Sequence, residues 1–264
     1  MRYRLNILWA NIVNTFRRET AYFSQNWSNF FSTVFYTLAM VVFVDVLFSN
    51  ITTLAGYSRE EMLFMVFIGQ VAYYFGWGVF GINGERLNED INNGSFDFVL
   101  VRPAPPLFFV LFRNISIIGT LRDSLANILV ISFLINWTTL HITLSSIVLG
   151  SVVFIAGQII WQYIRVGLVF PAFWFGSAKN IMSISYELTE THNLPLEGYP
   201  QSLRILFTTL IPTIIVSAMA GSVILNKSNG LIMAGWAIAV TVALSFVFVW
   251  AWNSALKHYS SASS

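Results

Sequence analysis

There is no cysteine in these 264 residues, and only 10% of them carry charge. The first absence excludes a disulfide framework and any cysteine-ligated metal. The second excludes an ordinary soluble domain, in which about a quarter of the residues are charged. Also missing are G-x-x-x-x-G-K-[ST], H-E-x-x-H and G-x-S-x-G, so the chain does not cradle nucleotide phosphates in the P-loop manner and carries no zinc-peptidase or serine-hydrolase signature. The net charge of +2 is too small to argue for nucleic acid, and no nucleic-acid partner is expected. No linker, low-complexity tract or internal repeat breaks the sequence.

What is present is apolar. Hydrophobic residues make up 56% of the chain and the mean hydropathy is +0.68, which predicts an all-α integral membrane protein with one transmembrane domain over 1–264. A helix rising about 1.5 Å per residue needs about 20 apolar residues to cross roughly 30 Å of hydrocarbon. Four runs meet this plainly, at 28–48, 62–82, 142–164 and 229–254. The run 124–136 is too short alone, so a third helix over 118–138 must hold Arg122 and Asp123 inside one end, paired or snorkelling. Two candidates remain for a fifth span: 166–186, flanked by Arg165 and interrupted by Lys179, and 205–225, split by Pro212.

Basic residues set the orientation, because segments that stay in the cytoplasm keep Lys and Arg. With both termini inside, Arg2, Arg4, Arg17, Arg18, Arg86, Arg102, Arg113, Arg165 and Lys257 are cytoplasmic and only Arg59, Arg204 and Lys227 fall outside. An even count then makes 166–186 the fifth span and 195–225 an external segment that dips in and returns. The alternative makes 205–225 the fifth span and 166–204 a cytoplasmic loop. Residues 1–22 have no signal-peptide pattern, since Arg17, Arg18 and Glu19 interrupt them. Leu5, Leu8, Trp9, Ile12, Val13 and Phe16 instead recur at helical spacing opposite Asn6, Asn14 and Arg17, which predicts a helix lying along the inner membrane surface as an anchor. The tail SSASS is expected to fray.

Candidate chemistry is sparse. His141, His192 and His258 are scattered, the pattern of solvated side chains rather than metal ligands, so no metal site is expected. Asp45 lies near the outer end of the first span, where it either reaches water or serves a proton, a cation or an ion pair. Glu60, Glu61, Glu187, Glu190 and Glu197 form an acidic outer rim. Gly69, Gly76, Gly78 and Gly81 allow the second span to pack closely on a neighbour.

The stretch between the second and third spans is far longer than a turn requires. Glu85 to Ile91 can form a short helix carrying Arg86, Glu89 and Asp90, and Asn92-Asn93-Gly94 offers a stop, since Asn and Gly tolerate the left-handed conformation. Phe96, Phe98 and Leu100 are spaced by two around Asp97, and Pro103, Pro105 and Pro106 end regular structure before the next helix. Such a segment is either an interfacial loop packed under the bundle or a docking element for a cytoplasmic partner.

The run Gly94, Ser95, Phe96, Asp97, Phe98, Val99, Leu100, Val101, Arg102, Pro103 resembles the G-x-[LI]-D-x-L-L-x-R-P stretch of permease subunits of type-2 ABC exporters, in the branch that includes viologen-exporter-type permeases. It departs mildly, with Phe96 for the aliphatic residue and Phe98-Val99 before Leu100. Pro195, Tyr199-Pro200, Leu203-Arg204 and Ile211-Pro212 resemble the proline-rich external re-entrant segment of the same permeases. The resemblance implies six transmembrane helices, an N-terminal interfacial helix, a cytoplasmic coupling helix after span two and an external re-entrant segment before span six. It implies that the coupling region, 85–103, sits in a cleft of a separate ATPase subunit, with Glu85, Arg86, Glu89, Asp90, Gly94, Asp97, Arg102 and Pro103 as contacts or supports. Two permeases, identical or homologous, and two ATPases would assemble in the cytoplasmic (inner) membrane of a prokaryote. ATP and Mg would be bound by the partner, leaving this chain without a cofactor or a catalytic residue of its own. The path for a small-molecule or lipid substrate would run between the permeases, with Tyr73, Tyr74 and Trp77 of span two and Phe173 and Trp174 of span five as candidate lining, unless these aromatics face lipid. The rival reading is a self-contained secondary carrier or channel using Asp45 and Lys179.

Overall fold

The computed structural model describes residues 2–21, 23–189 and 195–259. Glu190, His192 and the SSASS tail therefore lie outside the described residues. Within them, regular structure is helical, apart from one isolated bridge between Leu54 and Tyr57. Helix α1 (Arg2–Thr20) leads into α2 (Phe23–Phe48); α3 (Arg59–Gly76) continues through a π-helical turn, Trp77–Gly81, into α4 (Ile82–Asn92). Two short helices, α5 (Asp97–Leu100) and α6 (Pro106–Phe112), precede α7 (Ile117–Leu134). Next come α8 (Leu144–Gly167), α9 (Ala172–Phe175), α10 (Lys179–Thr189), α11 (Gln201–Ile205), α12 (Ala220–Ile224) and α13 (Gly230–Leu256).

The long helices start where a short polar side chain can take up an orphan backbone N–H. Ser58 accepts from the Glu61 N–H while Glu61 accepts from the Ser58 N–H, a reciprocal cap at the start of α3. Thr143, Ser116 and Asn229 cap α8, α7 and α13 in the same way, through the N–H groups of Ser146, Gly119 and Ile232. Five helical runs are long and apolar enough to cross a membrane: Ser24–Phe48, Arg59–Asn92, Ile117–Leu134, Leu144–Phe175 and Gly230–Leu256.

Side-chain contacts define two opposite ends of this bundle. At the far end Arg59 pairs with Asp45 at 2.7 Å, Glu60 accepts from the Asn136 N–H, Asn226 donates to the His141 carbonyl and Lys227 pairs with Glu61 at 2.8 Å. At the other end Asn11 donates to the Phe112 carbonyl, Asn88 accepts from the Ala178 N–H, and Trp174 stacks on His258. Arg122 and Asp123, near the start of α7, satisfy each other through two bonds of 2.7 and 2.6 Å, and Arg122 also donates to Asn26 at the start of α2. Their burial within an apolar helix is tolerable because the pair is complete.

The stretch expected as a fifth span, 166–186, is divided differently. Its first ten residues extend the fourth apolar run to Phe175, and Gly176 then adopts φ +75, a left-handed turn that glycine enters without strain. A new helix starts at Lys179. Ala178 lies at the Asn88 end, whereas Leu196 is buried with Tyr57 at the far end and Glu197 accepts from the Tyr57 hydroxyl at 2.7 Å. Ala178 and Leu196 thus sit at opposite ends of the bundle, so 166–204 is not confined to one of them. Two arms follow, Gln201–Leu210 and Ile215–Ile224, bent by 97°. The bend falls at Pro212, which cannot donate to a helical ladder. Both arms open toward the far end, the first from Glu197 beside Tyr57 and the second into Lys227 beside Glu61, with Ile214 buried between them at the turn.

Candidate functional site

The segment from α4 to α7 forms a knuckle at the Asn88 end. Asn93 closes α4, and Gly94, at φ +72, turns the chain so that the Phe96 N–H bonds back to the Asp90 carbonyl at 3.0 Å. Asp90 holds the turn from its side chain as well, accepting from Ser95 at 3.0 Å and pairing with Arg113. Residues 97–100 then form a single helical turn. Its three-to-four residue period sorts the side chains. Phe96 is fully buried, edge-on to Phe173, Trp252 and Tyr259 with ring centres 5.4, 6.3 and 5.0 Å apart. Val99 is buried with it, while Phe98 and Val101 are 70% and 80% exposed.

The knuckle is tied to the bundle by polar groups that the sequence reading passed over. Asn83, wholly buried, donates to the carbonyls of Leu111 and Asn114 and accepts from the backbone and side-chain amides of Asn114, all within 3.2 Å. Every hydrogen-bonding site of its amide is thereby occupied. The Gly78 carbonyl, inside the π turn, accepts from the Ser116 N–H at 2.7 Å, and a Cβ at Gly78 would lie 1.9 Å from the Thr120 hydroxyl. Arg165 of α8 is buried with its guanidinium 4.4 Å from the Trp77 ring centre, a cation–π contact on the same turn. Asn and Ser at helix ends look like loop residues in a sequence. Only the fold shows that these face one another.

Of the coupling candidates, Asp90, Gly94, Asp97 and Arg102 come together in the knuckle, with Pro103 just after it. Arg102 lies over the Phe109 ring at 4.3 Å and its Nε donates to the Phe98 carbonyl at 3.3 Å. Glu89 is exposed on α4, and Glu85 and Arg86 are half-buried one turn earlier. Tyr259, against Phe96, has its hydroxyl pushed up to about 12 by burial and by the Asp97 carboxylate. The candidate path residues do not form one surface. Tyr73 stacks on Trp77 at 6.5 Å with Tyr74 edge-on to Tyr73 at 5.3 Å, midway along the second run. Phe173 is buried under Phe96, a packing residue rather than a lining one, and Trp174 sits on His258 at the knuckle end. Asp45 and Lys179 lie at opposite ends, Asp45 paired with Arg59 and Lys179 next to Ala178.

A helical bundle with several membrane-length runs is a multi-pass membrane protein, and its knuckle presents apolar side chains at one end. A family model described as ABC-2 family transporter protein matches residues 34–263, and the chain belongs to that family. It is the membrane-spanning, permease part of an ABC transporter, and membership implies an ABC ATPase as partner. No curated protein and no solved structure matches the chain.

Proposed function

We propose that this chain is the permease subunit of an ATP-driven exporter of the viologen-exporter-like branch, coupled through the knuckle to ATPase subunits that bind ATP and Mg on its behalf. The observation that carries the reading is the two-sidedness of residues 96–101: Phe96 and Val99 are locked into the bundle while Phe98 and Val101 project from it. Exposed aromatic and aliphatic groups on a rigid support are what a docking element needs. The Asn83–Asn114 and Gly78–Ser116 bonds join the knuckle to α3 and α7, so a push on it moves helices rather than a loop. Nucleotide binding that closes two ATPases would rock two permease bundles about their interface, provided nucleotide binds the two states with different affinity.

In this reading the knuckle end is cytoplasmic, as the excess of Arg and Lys requires. The passage between Ala178 and Leu196 is the fifth crossing, α13 the sixth, and the bent pair a re-entrant hairpin from the outside. Opposite placement of Asp45 and Lys179 gives the self-contained carrier no common site. The test is ATPase stimulation in liposomes containing the permease and its neighbouring ATPase. Phe98→Ala with Val101→Ala, and separately Arg102→Ala, are expected to remove stimulation while the permease stays in the membrane. Full stimulation in these variants, or substrate transport by the chain alone, overturns the proposal.

A further inference from the structure

Beside the knuckle, a cleft of about 340 Å³ is bounded by Asn11 of α1, by α4 and by residues 95–102. Three guanidinium groups line it, Arg86, Arg102 and Arg113, against a single carboxylate, Asp90. Asp90 is occupied by Arg113 and Ser95. Arg86 is half-buried and has no hydrogen-bond or ion-pair partner among the described residues, and Arg102 uses only its Nε, leaving its two terminal nitrogens uncommitted. The Nε and Nη2 of Arg113 are buried without an acceptor. Just outside the lining, Arg18 of α1 adds a positive charge and Glu89 a negative one within electrostatic reach of Arg86, leaving the balance unchanged. The cleft thus holds three positive charges against one negative, with partly desolvated donors in fork geometry. That arrangement is incomplete without an anion.

We propose that the cleft binds the phosphate groups of an anionic membrane lipid, with doubly charged cardiolipin the best match to the two uncompensated charges. Phosphate offers several acceptor oxygens to planar guanidinium donors. The lipid source follows from position: α1 forms one wall, its Trp9 and Phe16 are exposed next to Arg17 and Arg18, and Phe98 lines the rim. Basic pockets at the inner ends of membrane helices hold such headgroups. A carboxylate of the ATPase would neutralise only one of the two charges. The proposal rests on the inward orientation of the knuckle given above, and its test uses no ATPase.

The full chain is reconstituted in phosphatidylcholine nanodiscs doped with cardiolipin, and lipid retained after detergent extraction is counted by native mass spectrometry. Each surface basic group contributes about 1 kcal/mol to anionic-lipid attraction, roughly fivefold in affinity, so Arg86→Gln with Arg102→Gln should weaken cardiolipin retention by about 30-fold. Arg86→Lys with Arg102→Lys keeps the charge and should retain most of it, showing that the fold survives change at these positions. Lys179→Gln with Lys257→Gln alters charge equally at the same end but outside the cleft and should have little effect. Equal losses in the cleft and control variants, or unchanged retention in the Gln pair, overturns the site. Displacement of cardiolipin by millimolar inorganic phosphate overturns the lipid assignment in favour of a soluble anion.

Discussion

At the scale of single residues the knuckle depends on a few buried amides. Asn83 uses its whole hydrogen-bonding capacity on Leu111 and Asn114, so Asn83→Ala strands buried backbone groups that water cannot reach. A loss of about 1–3 kcal/mol is expected, read as a lowered Tm in detergent, and Asn114→Ala should add less in the double variant than alone because the two share one network. Phe96→Ala should cost about 3–5 kcal/mol by opening a space among Phe173, Trp252 and Tyr259. Phe98→Ala, two residues away and exposed, should leave stability within about 0.5 kcal/mol of the parent. At the far end, burial and then the bond to Glu197 raise the Tyr57 hydroxyl well above the usual tyrosine range. The unfolded chain ionises this group near pH ~10, and a raised folded pKa means the contribution is complete below that value and lost as pH rises beyond it. Thermal melts should accordingly show a Tyr57→Phe penalty that is constant from neutral pH to about pH 9 and shrinks above pH ~10. A penalty that grows in that window would contradict the assignment.

At the scale of elements, hydrophobic length was legible in the sequence and side-chain facing was not. The runs at 28–48 and 62–82 fall within membrane-length helices, and those at 142–164 and 229–254 match theirs but for one or two starting residues, because span length is fixed by bilayer thickness. The 166–175 stretch was assigned to a separate helix because Arg165 looks like a span boundary; its guanidinium is instead buried on Trp77 and the run continues past it. The spacing of Phe96, Phe98 and Leu100 does not say which of them face inward; one helical turn places Phe96 and Val99 together. For the hairpin arm Ile215–Ile224 the sequence offers an apolar run and a resemblance to a re-entrant segment, but not what the arm packs on. Its fit is set by small residues on α8: a Cβ at Gly157 would come 2.4 Å from the Val216 Cα, and one at Gly150 would come 2.3 Å from Ile224. Inside a bilayer, close packing of this kind replaces the hydrophobic drive that water supplies elsewhere. Gly157→Leu should destabilise by about 1–3 kcal/mol, while Gly235→Leu on α13, with open space around it, should be neutral. If both variants melt together, the arm does not pack on α8 as described.

At the scale of the whole molecule, the two ends carry different chemistry and the charges are sorted between them. Asp45, Arg59, Glu61, Glu197 and Lys227 lie at the far end, and the knuckle with Arg86, Arg102 and Arg113 lies at the other. Lys227 ties both arms of the hairpin to one point, pairing with Glu61, donating to the Gly56 carbonyl and lying 5.3 Å from the ring centre of Tyr57, which bonds Glu197. The position of residues 196 and 227 relative to the membrane therefore decides whether the bent pair crosses it. The absence of cysteine makes this directly measurable, since any thiol introduced is the only one. Val101→Cys, at the tip of the knuckle, should react with an impermeant maleimide only in inverted vesicles. Gln201→Cys and Ser228→Cys, flanking the hairpin, should both react only in intact cells. Labelling of the two hairpin positions from opposite sides would make the bent pair a true crossing, leave an odd number of passes, and place the knuckle and the last helix end on different sides. Phe96 and Tyr259, whose ring centres lie 5.0 Å apart, would then have to separate.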